Sequence, residues 1–172
     1  MLGNIDAVHG LYYLVMHGWF AVFPATEFWS RLSSSLAVGA AAAGVVVLGN
    51  QIAARQVAVT AGLGFAILPR IPWGGIEARA YAMSVAAAVW LTVLVVAAAR
   101  RQRLPLWALY AFCLIAATLL NMFVGLMVLV HGVTVCAVAR NRTTLTWWAC
   151  SSLAAMLVTA PFLLFTQTQI AQ

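Results

Sequence analysis

The chain is 172 residues long, with 65% hydrophobic and 7% charged residues and a net charge of +6. A water-soluble domain carries roughly 25% charged residues, so a soluble globule is excluded, and a mean hydropathy of +1.02 agrees. All nine basic residues are Arg, scattered among apolar runs; this argues against nucleic acid as a partner and points to an all-α polytopic membrane bundle in a single domain.

The first residues, MLGNIDAVHG, lack the basic start and apolar core of a cleavable signal. Residues 6–23 predict an amphipathic helix too short to cross comfortably. His9, Tyr13, Met16, His17 and Phe20 share one face, and Leu11, Leu14, Val15 and Val22 another. With Tyr12, Tyr13 and Trp19 as interfacial rings, this helix is expected to lie in the outer headgroup region. Asp6 is placed to cap it, and Pro24 to end it.

A crossing helix needs about 20 apolar residues for a hydrocarbon core of roughly 30 Å. Six spans are predicted, near 30–50, 57–70, 76–99, 104–119, 121–138 and 145–165. Thr26 is expected to cap the first, with Glu27 and Arg31 paired at i, i+4. Gly39, Gly44 and Gly49 predict close helix packing. The long run from Leu104 to Val138 is divided at Asn121. That division places Arg55, the trio Arg100, Arg101 and Arg103, and the pair Arg140 and Arg142 on one side. Arg31, Arg70 and Arg79 fall on the other. The Arg-rich side is expected to be cytoplasmic, with both termini and the PRIPWGGIEAR turn extracytoplasmic.

Cys113, Cys136 and Cys150 are far apart and read as small buried hydrophobes. His131 falls inside a span, where an ionisable group is a functional candidate; a neutral ring bonded to a backbone carbonyl is the expectation. His9 and His17, eight apart, are poorly spaced for a metal. Trp147 and Trp148 predict an interfacial belt.

The outer side gathers Asp6, His9, Glu27, Arg31, Arg70, Glu77, Arg79 and Tyr81, including all three acidic residues of the chain. Glu77 suits the first turn of a helix, where the dipole favours a carboxylate. Arg79 does not, and residues two apart on a helix face different ways. Arg79 therefore needs another anion: Asp6, Glu27 or a bound phosphate, which a guanidinium grips with two parallel hydrogen bonds.

These residues carry a resemblance. Asp6, His9-Gly10, Leu11-Tyr12-Tyr13-Leu14, Thr26-Glu27-Phe28, Arg31 and Glu77-Ala78-Arg79-Ala80-Tyr81-Ala82 occur in an order similar to that of the GT-C class of multi-pass glycosyltransferases. The likeness is to the protein-mannosyltransferase-like (glycosyltransferase family 39) relatives of actinobacteria, and it covers about residues 4–100. It implies a cell-envelope enzyme that moves a mannose-type or arabinose-type sugar from a polyprenyl-phosphate donor to a glycan or protein acceptor outside the cytoplasm. Asp6, or an acid of the implied upstream loop, would act as base with His9 on the acceptor side; Arg79, Arg70 and Tyr81 would hold the donor phosphate. Glu77 and Glu27 would orient these groups or sit beside a divalent metal. An acceptor hydroxyl needs a base, and a departing lipid phosphate needs positive charge. The resemblance also implies a further span and an acidic loop ahead of residue 1, and so an N-terminal-half fragment. Ile76 stands where the family often has Gln, and Asn121 where it often has His. Two other readings are a non-catalytic membrane protein, binding lipid or serving as a complex subunit, and a small transporter. Charges kept at the outer edge rather than the midplane count against transport.

Overall fold

The structure, a computed structural model, describes residues 10–76, 80–138 and 141–170. In chain order come α1 (Gly10–Val22), α2 (Glu27–Ile52), α3 (Arg55–Ile67), α4 (Arg70–Ile76), α5 (Ala80–Arg101) and α6 (Leu104–Leu120). A 3-10 turn (Met122–Leu126) leads into α7 (Met127–Val138), and α8 (Arg142–Ile170) follows. The described residues form no strand, as the all-α expectation requires. Three helices among them are long and apolar enough to cross a membrane: α2, α5 and the Arg142–Phe162 part of α8.

Local chemistry sets the breaks. A residue before proline disfavours the α conformation, and α3 stops at Ile67, just ahead of Leu68-Pro69. The span expected over 57–70 is therefore two helices, α3 and the short α4. Gln102 takes the left-handed conformation (φ 51°) that closes α5. Asn121 ends α6 in extended backbone and accepts from the Phe123 amide at 3.1 Å, so the run divides at the expected residue. Asn141 caps α8 by accepting from the Thr144 amide at 3.0 Å. Thr26 precedes α2 with the backbone of a cap but makes no side-chain capping bond.

Contacts between helices fix their directions. A Cβ on Gly49 would stand 2.7 Å from Ala58, and Gly62 faces Val46 and Ala42, so α3 runs back along α2. α4 continues that path, and Ser35 Oγ donates to the Gly75 carbonyl at 3.1 Å. α5 then runs parallel to α2: the Trp90 indole donates to Ala40 O at 3.0 Å, and Gln51 Nε2 reaches Val93 O at 3.4 Å. α6 returns, bringing Asn121 Nδ2 to Ser84 Oγ at 3.1 Å. α7 turns again, placing His131 beside Thr92, and α8 runs back with Thr144 on Gln102 and Trp148 over Gly132.

One end of the bundle consequently collects Arg55, Arg100, Arg101, Arg103 and Arg142, all exposed. The other holds α1, Glu27, Arg31 and Asn121. The main core lies among α5, α6, α7 and α8, around Val95, Trp107, Tyr110, Leu114 and Val135. The outside of the bundle is greasy: Ile67 is 78% exposed, Leu157 73% and Val133 72%.

Other expectations change as well. The face of α1 that turns inward is not the one anticipated. Tyr12 and Met16 are buried, with Leu11, Trp19 and Phe20 against Ala80, Met83 and Leu120, while Tyr13 and His17 face out. Apolar area, i to i+4 to i+8, decides the contact rather than the histidines. Trp147 and Trp148, expected in an interfacial belt, are half-buried against the core, and Gly132 leaves room for the Trp148 ring. Cys136 and Cys150 are exposed on the outer surface and Cys113 is half-buried. The glycine series divides likewise: Gly44 and Gly49 meet neighbours closely, whereas Gly39 faces open space.

Replacing Gly62 by Val is expected to cost about 1–3 kcal/mol by overpacking against Val46, read as a lower melting temperature in detergent. Gly64→Ala, in open space, should leave the melting temperature unchanged or slightly higher.

Candidate functional site

Asp6, His9, Glu77 and Arg79 lie outside the described residues. Of the remaining predicted site residues, Arg70 opens α4 at the cation-poor end. Glu27 sits in the first turn of α2, where the helix dipole favours it, and binds Arg31 one turn on. Both are solvent-facing, with side chains 77% and 51% exposed; a pair so placed contributes at most about 1 kcal/mol. The two help line an open hollow of about 380 Å³ with Phe28, Leu32 and Ser35. Tyr81, half exposed, lines a different cavity of about 80 Å³ with Val38, Ala41, Ile71, Trp73 and Gly74. The structure thus joins Glu27 to Arg31 and seats Tyr81 between α2 and α4, without bringing Glu27 and Tyr81 to one cavity.

A divalent ion requires several convergent oxygen or imidazole ligands. Among the described residues no three of His, Cys, Asp and Glu converge, and Glu27, the one described carboxylate, is taken by Arg31. These residues do not fit a metal.

The most elaborate polar geometry is inside the bundle. His131 and Tyr110 are wholly buried. Nε2 of His131 lies 3.2 Å from Thr92 Oγ1 on α5, and Nδ1 lies 3.0 Å from the Tyr110 hydroxyl on α6. The proton positions follow from bond counting. Thr92 donates its hydroxyl proton to Ala88 O at 2.8 Å, so its oxygen accepts from His131. Nε2 therefore carries a proton, and in the neutral ring Nδ1 accepts from Tyr110. For a neutral ring the hydrogen bonds run in one direction, Tyr110 to His131 to Thr92 to Ala88. The partners of His131 are two hydroxyls rather than the expected backbone carbonyl. Sequence reasoning does not single out Tyr110; the one hint there is a lone Tyr within the apolar run of α6. The arrangement ties α5, α6 and α7 together.

The third cavity is an apolar groove of about 620 Å³ between α5 and α6, roofed by Leu11 and Val15 of α1. No family model, curated protein or solved structure matches this chain.

Tyr110→Phe removes the donor to Nδ1 and leaves a buried acceptor unpaired. The expected cost is about 1–3 kcal/mol, measured by thermal unfolding in detergent, while nitrogen NMR of labelled histidine in the wild type should report His131 protonated at Nε2.

Proposed function

We propose that the chain is a six-crossing protein of the cell membrane, with its cation-rich end in the cytoplasm. At the opposite, extracytoplasmic end it would handle a polyprenyl-phosphate-linked sugar as a glycosyltransferase. The observation that carries the orientation is the sorting of charge: five described Arg at one end, and the described carboxylate at the other. The alternating directions of α2, α3 with α4, α5, α6, α7 and α8 support six crossings, of which α2, α5 and α8 have full-length apolar segments. Shorter helices such as α6 suffice where bundle neighbours cover them.

The sugar-transfer reading rests on the resemblance in the Asp6 to Arg31 and Glu77 to Ala82 segments. In it Asp6 takes the acceptor proton, Arg79 with Arg70 holds the lipid phosphate, and Tyr81 borders that region. Glu27, engaged by Arg31 and open to solvent, is left an orienting part. The same observation favours a second reading, in which the chain binds lipid phosphate without catalysis, as a subunit of a larger assembly.

Orientation is tested by labelling single cysteines placed at Thr26 and Arg103 in a protein freed of its native cysteines. An impermeant thiol reagent added to intact cells should reach the first and not the second; the reverse pattern overturns the orientation. Activity is tested with a polyprenyl-phosphate sugar in purified membranes. Asp6→Asn should lower transfer by about 100-fold or more, and Arg79→Ala should weaken donor binding. Donor binding without transfer by the wild type would establish the non-catalytic reading, and equal binding by Arg79→Ala would remove Arg79 from the phosphate.

A further inference from the structure

We propose a second lipid site, at the cation-rich end, for an anionic glycerophospholipid: one acyl chain in the groove between α5 and α6, and the phosphate on Arg101 with Arg100 beside it. To the groove α5 contributes a stripe of Met83, Ala87, Trp90, Leu94 and Ala97, flanked by Leu91 and Val93. The spacings alternate four and three, the repeat that keeps residues on one helix face. The next position in that series is Arg101. A single face of α5 therefore changes from apolar trough to guanidinium within one turn, at the helix end.

The charge at that end is uncompensated. Arg100 and Arg101 are exposed, and the one ion pair among the described residues, Arg31 with Glu27, is at the opposite end. Beyond residue 77 the sequence has no Asp or Glu at all. Basic groups bordering clefts between membrane helices recognise anionic headgroups, and Arg grips a phosphate with paired hydrogen bonds. A polar partner would find nothing in the groove, whose lining is apolar throughout. A neutral lipid would leave the guanidinium unused. An amphiphile with a negative head and a hydrocarbon tail satisfies both parts. This site lies at the other end of the bundle from the proposed sugar-transfer region and does not depend on that reading.

The test is competitive lipid retention on the purified protein in detergent, read by native mass spectrometry with phosphatidylglycerol and phosphatidylcholine of identical chains. Phosphatidylglycerol should be retained roughly five-fold over phosphatidylcholine, and Arg101→Gln should lower its retention by about the same factor. Ala116→Phe, which fills the groove from α6, should reduce retention of both lipids. Arg55→Gln, at the same end but on α3, which does not line the groove, should leave it unchanged. Equal retention of the two lipids, or an Arg55→Gln loss as large as that of Arg101→Gln, overturns the proposal. So does displacement of phosphatidylglycerol by an equimolar polyprenyl phosphate, which would make this a carrier-lipid site instead.

Discussion

Much of this bundle depends on one constraint: a polar atom among apolar helices is costly unless it finds a partner on a neighbouring helix or its own. The Tyr110, His131 and Thr92 chain answers that constraint across three helices at once. Asn121 and Ser84 answer it where α6 ends against α5. The Trp90 indole answers it between α5 and α2. These ties supply what hydrophobic burial cannot, since an apolar stripe alone leaves a helix free to slide and rotate against its neighbours.

Close approach does the rest. Where α2 meets α3 and α5, Gly44, Gly49 and Gly62 let side chains of the neighbouring helix touch backbone. Dispersion between surfaces brought that near replaces the hydrophobic driving force that lipid would otherwise weaken. The two halves of the bundle thus cohere differently. Around α2 small residues make the joints. Around α6 and α7 rings and hydrogen bonds make them, with Trp148 laid over Gly132. Arg55, Arg100, Arg101, Arg103 and Arg142 stay exposed at one end, which leaves the ends of the bundle chemically unlike each other.

Much of the fold could be read from residues one at a time. Asn121 marked a helix boundary because its amide competes for backbone groups, and it caps the turn that follows. Glu27 and Arg31 pair as i, i+4 geometry requires. The Arg clusters assigned their own end once the boundaries were right. The face of α1 was not legible: its apolar and aromatic residues wrap so far around the helix that two faces compete, and only contact with Ala80 and Leu120 chooses between them. Nor could the partner of His131 be found, since Thr92 and Tyr110 are 39 and 21 residues away. Of the candidate site, Glu27 and Tyr81 were identified individually, but their separation into different cavities depends on where α4 lies.

The sequence by itself determined the all-helical class, the apolar exterior and the sorting of charge to the ends. Those follow from composition and local spacing, which act within a few turns of helix. Only the tertiary structure decided which polar groups meet, which hydroxyls face His131 and which stripe of α5 lines a groove against α6. Such facts depend on distances between residues far apart in the chain, and contacts between helices alone set them.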